Sequence, residues 1–110
     1  MGLIDKKCVP CRGGMPALTE DQVKKYLAEL KTEWQVAGNK KISREFKFKS
    51  FPEAMAFVNK VAELAESEDH HPDMLISYRR VVMELTTHAI GGLSENDFIM
   101  ARKIEELENN

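Results

Sequence analysis

The sequence is poor in cysteine, in aromatic residues and in charge of one sign. Its two cysteines, Cys8 and Cys11, form a Cys-x-x-Cys near the N-terminus with no others to pair with, so no disulfide framework holds the fold. The 16 basic and 18 acidic side chains leave a formal charge of −2. That balance removes the clustered basic surface on which nucleic-acid binding depends. No apolar run approaches the ~18 residues of a membrane-crossing helix. Residues Met1 to Lys7 lack the apolar core of a secretory signal, and Lys6 stands where a myristoylation signal has Ser or Thr. There is no Gly-x-Gly-x-x-Gly phosphate loop and no Gly-x-Ser-x-Gly nucleophile elbow. What is left is one small domain, expected in the cytoplasm, with neither a nucleic-acid nor a membrane partner. A chain of 110 residues buries a modest core, and self-association is an expected extra source of stability.

Residues 1–17 read as an irregular arm, since Pro10, Gly13, Gly14 and Pro16 break any period. Residues 18–110 read as the folded domain. Thr19 and Gln22 make a capping box flanked by the staple pair Leu18 and Val23, and Val23, Tyr26, Leu27 and Leu30 trace a helical face ending near Lys31. The period then changes to two: Trp34 and Val36, a turn at Gly38-Asn39, then Ile42, Arg44, Phe46 and Phe48. Ser50 and Glu53 form a second capping box, and a helix follows to about Ser67. A second strand pair spans Met74 to Tyr78 and Val81 to Thr87 around a break at Arg79-Arg80. Ser94 then caps a last helix with Phe98, Ala101, Ile104 and Leu107 on its buried stripe. The order α-β-β-α-β-β-α predicts an α+β single domain, a four-stranded antiparallel sheet covered on one face by three helices. The open sheet edges favour pairing with a second copy, as a homodimer or a dimer of dimers.

The three histidines are His70, His71 and His88. The first two lie between a helix end and a strand start, and Pro72 pushes His71 toward extended geometry. His88 is expected at the end of the fourth strand. If the third and fourth strands are hairpin partners, the start of one lies beside the end of the other, and the three imidazoles converge. Histidines exchange protons near neutrality, so such a cluster suits proton-transfer chemistry: expelling a hydroxyl as water while a neighbouring proton leaves. A plainer reading stands beside it, in which the pair complements a helix C-terminus and His88 is an ordinary strand-end residue. Zinc is the next competitor, because Glu66, Asp69 and Asp73 lie near the histidines. Adjacent residues on an extended segment point opposite ways, however, which makes joint chelation awkward, so no metal and no cofactor is expected. Asp97, third after Ser94, reads first as a capping carboxylate. The Cys8-x-x-Cys11 pair reads as part of the arm; it is half of a zinc site at most, and it does not open a helix as a redox pair would.

Glu66, His70-His71-Pro72, Tyr78, His88 and Asp97 together give seven positions over 32 residues. Their spacing resembles the signature of the pterin-4a-carbinolamine dehydratases, and the element order is similar to that family's fold. The resemblance implies dehydration of 4a-hydroxytetrahydropterin to quinonoid dihydropterin plus water, recycling tetrahydrobiopterin without any cofactor. It implies His70, His71 and His88 as catalytic residues, with His70 and His88 suited to acid/base roles and His71 to binding. Asp69 and Thr87 would contact the pterin, Glu66 would orient the histidine loop, and Asp97 would fix the last helix. The chain departs from many members in having Met74 where they carry an aromatic residue. The Cys8-Val9-Pro10-Cys11 arm is similar to bacterial and plant branches, some linked with molybdopterin metabolism. A molybdopterin-related pterin binder and a non-catalytic interaction module are therefore the alternatives.

Overall fold

The computed structural model describes residues 2–10 and 13–108. Cys11 lies outside them, so the Cys-x-x-Cys reading has no structural counterpart here beyond Cys8. Helix α1 (Glu20–Glu29) begins at the expected box: Gln22 N–H donates to Thr19 Oγ1 at 3.3 Å, and Thr19 N–H donates to Gln22 Oε1 at 2.9 Å. Strands β1 (Gln35–Ala37) and β2 (Lys41–Lys47) follow. Their turn holds Gly38 at φ 57° and Asn39 at φ 56°, the paired left-handed conformation that tight hairpins need and that these two residue types tolerate best.

Helix α2 (Phe51–Glu68) starts with Pro52 in its first turn, and Glu53 N–H donates to Ser50 Oγ. The second half of the expected box is displaced by one residue, since the Glu53 carboxylate accepts from Lys49 N–H at 3.2 Å. Strands β3 (Asp73–Ser77) and β4 (Arg80–Leu85) meet at a turn through Tyr78, which sits at φ 56°, so the turn falls one residue earlier than expected. Helix α3 (Glu95–Glu108) closes the fold.

The sheet is antiparallel with order β1-β2-β4-β3, so the two hairpins join through β2 and β4 as the pattern predicts. Ile42, Phe46, Val81, Met83 and Leu85 share its inner face and are buried. The helices cover that face, and Phe57, Val61, Phe98, Met100 and Ile104 complete the core. Helix α3 is more enclosed than a single stripe requires: Asn96, Asp97, Ile99, Arg102 and Glu105 are buried as well. The reason is that α3 is approached by α1 and α2 and also by a 3₁₀ turn at Leu3–Asp5 of the N-terminal arm, whose Leu3 is part of the core.

Candidate active site

The segment between α2 and β3 is fixed before any side chain is considered. Asp69 ends the helix in the left-handed conformation (φ 52°), and the N–H groups of Asp69 and His70 both reach the carbonyl of Ala65. This is a common way to satisfy the last carbonyls of a helix while turning the chain off its axis. Pro72 then keeps His71 out of the helical region. The register pairs Asp73 with Glu84, so the residues just before β3 lie beside those just after β4.

His88 is not at the end of a strand, as the sequence reading had it. It opens a 3₁₀ turn, His88–Ile90, because β4 stops at Leu85. The ladder to β2 runs out at Ile42↔Leu85, and Thr87 leaves the sheet to pair with Gly92, its N–H donating to the Gly92 carbonyl at 2.9 Å. That closure needs the Gly91-Gly92 pair. Gly91 sits at φ 67°, and a Cβ on Gly92 would stand 2.8 Å from the Cβ of Ala17.

The three histidines nevertheless share one open cavity of about 290 Å³, walled by Asp69, His70 and His71 on one side and Thr86 to Ala89 on the other. That is near the ~300 Å³ lower end of ligand pockets and suits one small heterocycle. A larger hollow of about 630 Å³ lies between α1 and the β1 turn, but its wall of Val23, Leu27 and Val36 offers little chemistry. Converging titratable groups, not volume, single out the histidine cavity.

Within it the imidazoles differ. The side chain of His70 is 12% exposed, and its Nε2 lies 2.7 Å from Oδ1 of the fully buried Asp97. The other oxygen of Asp97 accepts from the Thr87 hydroxyl at 2.8 Å and from Ser94 N–H at 3.0 Å. Because the single Thr87 hydroxyl hydrogen goes to Asp97, the 2.8 Å contact between Thr87 Oγ1 and Ser94 Oγ must be donated by Ser94. Asp97 is thus both the capping carboxylate and the partner of His70. A carboxylate with this donor set accepts from Nε2–H, leaving Nδ1 of neutral His70 as the basic nitrogen.

His71 lies nearer solvent, with Nε2 2.6 Å from Glu66 Oε2 and both side chains more than half exposed. The His88 ring is exposed and makes no hydrogen bond to the described residues. Tyr78, although it fits the spacing, lies 66% exposed in the β3–β4 turn at the far end of the hairpin, outside the cavity. Ser94 was missed as part of this network; its signal was its place three residues before Asp97. Among the described residues, no three His, Cys, Asp or Glu side chains come together so as to hold a metal ion, and no helix is long and apolar enough to cross a membrane.

Comparison with known proteins agrees on the family. A provisionally named pterin-4-alpha-carbinolamine dehydratase of Alkaliphilus metalliredigens is 47% identical over 107 residues, 97% of this chain and 96% of its own. A second, from Nitrosomonas eutropha, is 52% identical over 105 residues, 96% of this chain and 92% of its own. The crystal structure of a transcriptional coactivator/pterin dehydratase from Brucella melitensis superposes with a TM-score of 0.77 at 41% identity, covering 83% of this chain and 97% of that one. A pterin dehydratase-like RuBisCO assembly factor of the alpha-carboxysome shares the fold, with a TM-score of 0.61 at 22% identity over 70% of this chain and 90% of that one. The profile described as pterin 4 alpha carbinolamine dehydratase spans residues 16–107, so the chain belongs to that family.

Proposed function

We infer that this protein dehydrates a 4a-hydroxytetrahydropterin to the quinonoid dihydropterin and water, a step that returns the pterin to the tetrahydrobiopterin cycle. The observation that carries this reading is the meeting of three imidazoles, from two distant stretches of chain, around one small cavity. The reaction breaks the C4a–O bond and removes the proton of the adjacent ring N–H as the C=N bond forms. One group must protonate the departing hydroxide and another must accept the ring proton. His70, oriented by Asp97, supplies a fixed basic nitrogen, and the exposed His88 can carry a proton on the opposite wall. His71 and Asp69 hold the heterocycle. Positioned acid/base groups of this kind contribute about 10²–10⁴-fold each. No electrons change hands overall, so the step needs no redox partner.

Stopped-flow absorbance on freshly generated 4a-hydroxytetrahydropterin tests this directly. Acceleration over the spontaneous reaction, abolished in His70→Ala and His88→Ala, is the expected result. Binding of the pterin with no acceleration would instead make the cavity a binding site only. The exposed Leu75 and Ile76 on the β3 edge strand support a further proposal, self-association along that edge; light scattering that gives a 12.5 kDa species would remove it.

A further inference from the structure

We propose that the N-terminal arm, residues 3–10, is a positioning element of the active site, acting through Glu68 and Asn96 on the His70–Asp97 hydrogen bond. The inference rests on the dehydratase reading for its kinetic consequence, though not for its structural one. The arm precedes the family segment, which begins at residue 16. The relative from Alkaliphilus aligns over 97% of the chain, so the shared stretch reaches into the arm.

The contacts are concentrated where they can matter. Glu68 is two residues before His70, and Asn96 is one residue before Asp97. The Cys8 N–H donates to Glu68 Oε1 at 2.8 Å, while Lys103 of α3 holds Glu68 Oε2 at 2.8 Å. That ion pair is largely enclosed, with side chains 15% and 8% exposed. One residue on, the Val9 N–H donates to Asn96 Oδ1 at 3.0 Å, Asn96 Nδ2 donates back to the Val9 carbonyl at 2.5 Å, and the Cys8 thiol reaches the Asn96 carbonyl. Lys6 adds an ion pair with Glu95 at 2.6 Å, and the Tyr26 hydroxyl donates to the same carboxylate at 3.0 Å. Leu3, buried in the core, anchors the start of the arm.

Two consecutive arm residues therefore tie the C-terminal turn of α2 to the N-terminal turn of α3. Asp97 projects from the second of those turns, and His70 from the segment that leaves the first. A hydrogen bond between a side chain just past the end of one helix and a side chain on another is only as fixed as the separation of those two helix ends. Misplacement by about 1 Å can cost roughly 10²-fold in rate even when the altered residue is far from the chemistry. The arm sets that separation from behind the site without touching the cavity.

Asn96→Ala and Glu68→Ala test this in the full chain, read by the imidazole ¹⁵N resonances of His70 and by steady-state dehydration. The expected result is a His70 resonance displaced from that of a hydrogen-bonded Nε2, with kcat down about 10- to 100-fold and KM changed less than about threefold. Asn96→Asp, which keeps the acceptor for Val9 N–H, should fall between. Val81→Ala, a core variant away from the arm, controls for lost stability and should leave the His70 signal in place. Folded arm variants with wild-type His70 resonances would overturn the proposal, and so would an equal displacement in Val81→Ala. If the wild-type protein lacks dehydratase activity, the dehydratase reading fails, and the resonances still decide whether the arm positions His70.

Discussion

The Nε2 of His70 lies 2.7 Å from a carboxylate oxygen of Asp97 that has no contact with solvent. A buried carboxylate without partners would be costly, and this one is satisfied from three directions: His70, Thr87 and Ser94. Its orientation is therefore decided before a substrate arrives, and the tautomer of His70 is decided with it. Asp97→Asn is the sharpest probe of that relationship. The amide retains the shape of the carboxylate but can present an N–H to Nε2, which would move the imidazole proton to Nδ1 and remove the basic nitrogen. We expect kcat to fall about 10²-fold or more, measured by stopped-flow dehydration, with KM little altered.

The His71–Glu66 pair makes an opposite prediction. Both side chains are more than half exposed, so their 2.6 Å contact is worth little to folding despite its length. Glu66→Ala should change stability by less than about 1 kcal/mol in urea titration. His71→Ala should raise KM while leaving kcat within about threefold, because a binding group that acts equally in ground and transition states moves KM alone. A large fall in kcat with unchanged KM would move His71 into the acid/base pair.

Much of this architecture was legible in the sequence, because local signals agreed with the tertiary solution. The Thr19 box, the Gly38-Asn39 turn and the alternation of Ile42 and Phe46 each name their own geometry, and the structure contains all three. The meeting of His70, His71 and His88 followed from hairpin pairing, because antiparallel partners bring the start of one strand to the end of the other. What was not legible depended on contacts far along the chain. The end of β4 is set by Thr87 turning aside to Gly92, so periodicity alone carried the strand two residues too far. The residue three after a helix cap announces a capping role, and nothing local indicated that Asp97 also meets a histidine 27 positions earlier. The arm lacked any period, yet Leu3 is in the core and Cys8 and Val9 are bonded to two helices. An irregular backbone with hydrogen-bond partners elsewhere leaves no repeating pattern to read.

A second buried carboxylate tests stability without catalysis. Glu105 on α3 is 2% exposed and accepts from the N–H groups of Lys31 and Thr32, the Thr32 hydroxyl and the Trp34 indole N–H. It gathers the loop between α1 and β1 onto α3. Glu105→Ala orphans those donors and opens a gap beside Trp34, so unfolding free energy should drop by about 2–4 kcal/mol in urea. The residue is eight positions from Asp97, roughly 12 Å along the helix, so kcat of the folded fraction should stay near wild type.

Acid should release the arm before it unfolds the domain. The Lys6 ammonium, against opposing burial and with help from the Tyr26 hydroxyl, holds the Glu95 carboxyl below its usual range. For Glu68, burial pushes upward but is outweighed by Lys103 and the Cys8 N–H, so it too is lowered. A carboxylate depressed in the folded state gives stability that is present above its unfolded value, near 4.5, and is lost as pH falls through the folded one. Both carboxylates grip the arm, so protection factors at Cys8 and Val9 should collapse as pH falls through those lowered values while core amides such as Val81 stay protected. Uniform loss of protection across the chain would show that the arm and the core let go together.

The same contacts govern the chemistry of Cys8. Burial first, then the Glu68 carboxylate beside it, push its thiol up to about 12 from 9.0. The reactive species is the thiolate, and at pH 8 a thiol so raised is ionised to only about one part in 10⁴, against about one in ten for an unperturbed one. In a Cys11→Ser background, where Cys8 is the sole thiol, iodoacetamide at pH 8 should modify the native protein about 10³-fold more slowly than the urea-unfolded chain. The linkage has a definite sign: a raised value gives stability complete below the unfolded pKa of 9.0 and lost as pH climbs toward about 12. Glu68→Gln removes the neighbouring charge but leaves the burial, so alkylation should speed up only in part. Full recovery of the unfolded-chain rate in that variant would mean that the arm no longer covers the sulfur at all.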